Sequence, residues 1–213
     1  MHEPKRMRRE DPSLAFRISP LFFALALLPL LCPEGKAVQA EKPAPGPMPR
    51  PVAVHASPIA GTWYPGDPQQ LRSTIHGFLA RVPPLTARDA DHLVALIVPH
   101  AGYVYSGQTA ATGYKLLQQR NPKRVILLGP SHSAFFHGLS LGNYASYETP
   151  LGRVPVDPQA RQILDGCPLI SFHPQAHLRE HSLDIQIPFL QGMFDPPPRI
   201  VPLLVGDLRA QDY

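Results

Sequence analysis

Two apolar runs, His92-Leu-Val-Ala-Leu-Ile-Val98 and Arg124-Val-Ile-Leu-Leu128, read as strands buried on both faces, and each leads within a few residues to a histidine. Short runs of this kind, bounded by Pro or Gly, belong in the middle of a parallel sheet, because only helices on both sides hide both faces. Ligand crevices in open α/β sheets lie beyond the carboxyl ends of such strands. His100, in Val-Pro-His-Ala-Gly-Tyr, and His132, in Leu-Gly-Pro-Ser-His, fall at those ends. Neutral imidazole is a common ligand for zinc, iron and copper, so two of them at one sheet edge point to a metal or acid–base site. The bland alternative is that each only hydrogen-bonds a loop beside the sheet.

The rest of the chain supplies alternating partners. Leu71, Ile75, Phe78 and Leu79 recur at helical spacing over 69–82, and Asp67-Pro68 forms an N-cap followed by a first-turn proline. A second helix suits 106–119, ended by Asn121-Pro122, and a third runs from Asp157-Pro158 to about Leu164. Residues 139–147 suit a strand or hairpin arm, 180–193 an amphipathic helix interrupted or kinked by Pro188, and 200–205 a further central strand. This order predicts an α/β fold with a mainly parallel central sheet flanked by helices. The chain stops at Tyr213, soon after the last strand, so the expectation is a domain cut short at its C-terminus, a fragment.

The first forty residues read separately. Lys5, Arg6, Arg8, Arg9 and Arg17 precede an apolar stretch from Ile18 to Leu31, and Val38-Gln39-Ala40 offers a small-residue cleavage site. This is the pattern of a signal peptide over 1–40, which predicts export and no stable membrane anchor after cleavage. A proline-rich linker over 41–51 leads to a folded domain over 52–213. From residue 41 onward the chain has fourteen basic and twelve acidic residues, and no basic stripe argues for nucleic acid. Cleavage would also remove Cys32 and leave Cys167 without a partner for an internal disulfide.

Further side chains gather around the two histidines. In Glu180-His181-Ser182-Leu183-Asp184 a carboxylate and an imidazole stand together, suited to supporting a metal ligand and to acid–base work. Adjacent helical residues do not face the same way, so both need not reach one site. His177, four residues before His181, is discarded as a metal partner because Pro174 and its loop-like surroundings argue against an earlier helix start. Tyr103 and Trp63 either wall the crevice or close the core, and Ser131 lies beside His132. His55, His76, His92, His137 and His173 have no motif around them. Neither a Walker loop, a Gly-x-Ser-x-Gly elbow nor a dinucleotide fingerprint is present.

Five segments in order, Ala60-Gly-Thr-Trp-Tyr64, Pro99-His-Ala-Gly-Tyr-Val-Tyr-Ser-Gly107, Leu128-Gly-Pro-Ser-His132, Glu180-His-Ser-Leu-Asp-Ile-Gln-Ile-Pro188 and Val201-Pro-Leu-Leu-Val-Gly206, make the chain resemble the Memo family. That family includes the B protein of the AmmeMemoRadiSam system. The resemblance implies a fold related to the class III extradiol dioxygenases, which use non-haem iron. It also implies that His100 and His132 match two metal-binding positions, with His181 and Glu180 as catalytic neighbours and Tyr103, Trp63 and Ser131 lining a substrate pocket. Fe(II) is the expected metal, with Cu or Zn as alternatives, and the partner a small molecule or peptide. Beyond the last of these segments the family pattern continues with an Asp-x-x-His segment and a further cysteine, and this sequence has neither after Gly206. An exported protein would not meet the system's cytoplasmic radical enzyme. Two other readings stand beside the metalloenzyme: a non-enzymatic scaffold that binds a peptide in the same crevice, and a truncated, inactive relative.

Overall fold

Thirteen residues from Pro68 to Ala80 form helix α1, opened by the Asp67 carboxylate, which accepts from the Gln70 N–H at 2.7 Å. The computed structural model describes residues 54–86, 90, 92–164 and 167–212, all within one compact unit. The signal peptide and linker expected over 1–51 lie outside the described residues. Strand β1, His55–Ala56, precedes α1, and α2, Tyr103–Gln118, follows it. Then come β2 Arg124–Pro130, β3 Leu139–Leu141, β4 Ser146–Thr149, β5 Gly152–Pro155 and the short helix α3 Ala160–Leu164. Strand β6, Ile170–Ser171, helix α4, Pro174–His177, helix α5, Ile187–Met193, and strand β7, Arg199–Val205, complete the main elements. Among the described residues no helix is long and apolar enough to cross a membrane.

The strands form two mixed sheets rather than one mainly parallel sheet. One has the order β2-β7-β3-β6 and the other β1-β4-β5. The β2–β7 pair is parallel, with Ile126 beside Val201 and Leu128 beside Leu203. Strand β3 runs antiparallel to β7, and β4 antiparallel to β5. A parallel neighbour needs a crossover, usually helical. The connection from β2 to β3 is a helix-free loop instead, closed by Gly138 at a φ of 86° that a side chain would strain.

The run at 93–98, expected as a central strand, pairs with no strand among the described residues. It is held through side chains instead. Val98 and Leu96 turn toward α2, where Gly113 leaves them room: a Cβ there would lie 2.7 Å from Val98 Cγ1. Val94 and Ile97 stay outside, the latter 92% exposed. Apolar composition alone does not make a strand when no backbone partner lies alongside.

Alternation along β2 and β7 divides the core. Leu127, Ile200 and Leu204 face α1, α2 and α5, in a cluster with Ile75, Tyr114 and Phe189. Val201 and Leu203 face the other way, with Leu139, Leu141 and Ile170, covered by Ala160 and Leu164 of α3. Ile126 and Leu128 share that second face by register, yet remain 61% and 42% exposed. The covering on that side stops short of β2.

Pro188 does not kink a long helix. Residues 180–183 are not helical, Asp184–Gln186 is a 3-10 turn, and Pro188 sits in the first turn of α5, where its missing N–H costs nothing.

Candidate metal centre

Three segments deliver imidazoles to one place. His100 ends the extended run before α2, His132 follows β2, and His181 lies on the non-helical strap 180–183. One ring nitrogen from each lies within 4.8 Å of the others. The His132 and His181 rings stack at 4.3 Å, and His100 approaches His132 to 5.3 Å between ring centres. Among the described residues this is the one group of His, Cys, Asp or Glu side chains that meets metal-site spacing.

The strap reaches the site because a glycine, Gly129, stands one residue before the end of β2. A Cβ on Gly129 would come within 2.9 Å of Ser182 Cβ and 3.0 Å of Leu183 Cδ2. With the space open, the Ser182 hydroxyl donates to the Pro130 carbonyl at 3.0 Å. Ser131 closes the same turn: its N–H donates to the Val205 carbonyl at 2.9 Å and its hydroxyl to the Ala134 carbonyl at 2.8 Å.

Glu180 organises the cluster from behind. It is 2% exposed and accepts from the His132 backbone N–H at 2.7 Å, the His181 N–H at 2.9 Å and the Ser182 N–H at 2.9 Å. His132 Nδ1 lies 2.8 Å from its other contact, Oε1, and His181 Nδ1 3.4 Å from the same oxygen. Burial pushes the Glu180 carboxyl up, but the hydrogen bonds from His132, Ser182 and His181 outweigh it and hold it below its usual range. An ionised Glu180 is acceptor-only, so His132 donates through Nδ1 and keeps Nε2 for a ligand. This is the carboxylate–histidine arrangement that orients metal ligands. With its oxygens taken by these donors, Glu180 acts as a clamp and not as a third donor.

The other two imidazoles are biased toward the neutral, metal-ready form. Burial lowers the His100 pKa, His132 adds to the effect, and Glu180 opposes it. Burial lowers His181 too, against the pull of Glu180. Three neutral nitrogen donors suit zinc, copper or iron alike and leave further coordination positions open, so the donor set fits a metal of the kind that the family resemblance implies.

An open cleft of about 380 Å3 runs beside the cluster, lined by Trp63, Pro99, His100, Ala101 and His181. The Trp63 indole packs on the His181 ring at 4.3 Å. Its backbone is held to the start of α2, where the Tyr103 N–H donates to the Trp63 carbonyl at 2.9 Å. Tyr103 itself is placed elsewhere. It is 3% exposed, packs against Phe189, and its hydroxyl donates to the Ile185 carbonyl at 3.2 Å. Burial raises its pKa well above the usual phenol value. Ser131 serves the turn described above and is not among the residues lining the cleft.

Sequence reasoning missed a buried polar group next to the strap. His55 Nε2 lies 3.1 Å from Asp184 Oδ2, and both side chains are almost wholly buried. No motif surrounds His55, and its only signal was an imidazole in a short β-forming stretch. His177 is also buried, its Nε2 2.9 Å from the Ser140 hydroxyl, away from the three-histidine group.

A family model described as Memo-like protein matches residues 55–212. A MEMO1 family protein of Nitrosopumilus maritimus is 37% identical over 152 residues, covering 70% of this chain and 55% of its own length. One of Sulfurisphaera tokodaii is 36% identical over 158 residues, covering 69% of this chain and 55% of its own. The chain thus spans about half the length of the curated relatives it matches. On the family model and these identities together, the chain belongs to the Memo-like family.

Proposed function

We propose that the chain is a metalloprotein whose His100, His132 and His181 hold one divalent ion, Fe(II) first and Cu or Zn second, at the edge of an open cleft. The observation that carries this reading is the convergence of three imidazole nitrogens within 4.8 Å, one of them clamped by a buried carboxylate. When bound, such an ion supplies Lewis acidity toward a substrate oxygen, and iron adds dioxygen chemistry. The protein's own groups do the rest. Glu180 holds His132 in one tautomer and places a negative charge behind the donors. Trp63 packs on His181, closes one wall to water and offers an apolar surface to a small molecule. The turn at Ser131 sets where His132 emerges from β2.

A second arrangement keeps His100 and His132 as donors and gives His181, on the cleft wall, the work of moving a proton. Dioxygenase-like turnover and metal delivery to a partner both remain within this reading, since function belongs to the site and not to the fold.

Anaerobic Fe(II) titration of the full chain tests it, beside a His100→Ala/His132→Ala double variant and His181→Ala. The double variant should lose more than about a hundredfold in affinity, beyond the loss typical of changes in outer-shell partners. His181→Ala separates the arrangements: lost binding makes it the third donor, and retained binding rules that out and favours the second arrangement. Failure of the wild type to take up metal, or unchanged uptake by the double variant, returns the crevice to a peptide-binding scaffold.

A further inference from the structure

The strap that carries Glu180 and His181 ends at Asp184, and Asp184 is anchored to a different sheet. Its Oδ2 meets His55 Nε2 of β1 at 3.1 Å, across 129 residues of sequence. The His55 ring is wedged between Tyr144 and Tyr147, each 4.7 Å away between ring centres. In the ladder His55 stands directly beside Tyr147 of β4. The remaining Asp184 oxygen and the Tyr147 hydroxyl are buried without a hydrogen-bond partner. A buried carboxylate with one satisfied oxygen is an expensive feature, and a unit that keeps it calls for an explanation. Replacing both members of such a buried pair by apolar residues of similar volume is often neutral or stabilising.

We propose that His55 and Asp184 are positioning residues for the metal centre: a strut between the β1-β4-β5 sheet and the strap, fixing where Glu180 and His181 stand. The inference rests on the metal reading above. Its logic is geometric. Residues 180–183 have no helix or strand hydrogen bonding to hold them. At their start they are tied to the β2 end through Glu180 and Ser182. At their far end the tie is Asp184, one turn before α5, where the Ile185 N–H donates to the His181 carbonyl at 3.0 Å. With the strut cut, the far end keeps the Tyr103–Ile185 bond and the burial of Leu183 and Ile185, but loses its tie to the β1-β4-β5 sheet. The Glu180 clamp on His132 and the His181 ring then lose their common register. Directional hydrogen bonding does what apolar packing at 184 would not, because it fixes position along the strap as well as depth.

The test is Co(II) binding to the full chain, read both as affinity and as the visible d–d spectrum, which reports coordination geometry. His55→Leu should bind about tenfold more weakly, the lower end of the range for outer-shell partners, with shifted bands. His55→Gln, whose amide can still donate to Asp184, should restore both. A folded His55→Leu with wild-type affinity and spectrum overturns the proposal. If His55→Leu fails to fold, Asp184→Ala, which leaves His55 without its acceptor, is judged by the same two readouts. If the wild type binds no Co(II), the metal reading fails on its own. The strut is then decided by amide hydrogen exchange over 180–184, where faster exchange in His55→Leu supports it and unchanged exchange overturns it.

Discussion

His177 illustrates how a buried side chain sets the protein's response to acid. Burial, reinforced by the nearby His55, lowers its pKa from the ordinary 6.5 to about 4. Below pH 6.5 the unfolded chain takes up a proton at this position, while the native protein does not until about pH 4. Its stability contribution is therefore complete above pH 6.5 and is lost as pH falls through that window, at up to about 1.4 kcal/mol per pH unit. Urea midpoints of wild type and His177→Gln at pH 7 and pH 4.5 check this. The variant, with an amide in place of the imidazole on Ser140, should lose roughly 2 kcal/mol less between the two conditions. Equal losses would mean that His177 does not titrate between the states.

Among the elements, the junction of β2 with the strap is the most demanding. Gly129→Ala adds a Cβ facing Ser182 Cβ at 2.9 Å and Leu183 Cδ2 at 3.0 Å, and the first of these belongs to a short side chain that cannot swing away. The expected cost is about 1–3 kcal/mol, the usual range for an overpacked site, seen as a lower Tm together with weaker metal uptake. An unchanged Tm would show that the strap yields freely. This junction was half legible in the sequence. Gly129 and His132 stood out, and so did Glu180 with His181, as did α1, α2, β2 and β7. What hid was their relation. A helix through 180–193 would have pointed Glu180 and His181 apart, whereas the non-helical strap lets the carboxylate turn back and the imidazole go forward. The strand expected at 93–98 did not form, and the choice left open for Tyr103 fell to the core, for one reason: composition reports that a segment avoids water, not which neighbour provides the shelter. Strands β1 and β6, at two residues each, are too short to leave a periodic signal, so the sheet carrying His55 could not be foreseen.

At the scale of the whole molecule, the covering of the central sheet is uneven. Ile126 and Leu128 continue the face that α3 protects over β7 and β3, yet they stand open to solvent. Exposed aliphatic side chains on an edge strand, as β2 is among the described residues, favour association between copies. Light scattering across a concentration series should show self-association of the wild type, and Ile126→Lys/Leu128→Lys should shift it toward monomer without lowering Tm. A wild type that stays monomeric at high concentration would contradict this. The candidate metal site has a whole-molecule consequence as well. His132 and Glu180 are 48 residues apart in sequence, and they meet only when β2 and the strap are both in place. An unfolded chain offers scattered imidazoles but no such cage, so an ion bound there weights the balance toward the folded form by RT ln(1 + [L]/Kd). The supply of metal in the surroundings would then govern how long each copy survives, turning a binding site into a gauge of the protein's own lifetime.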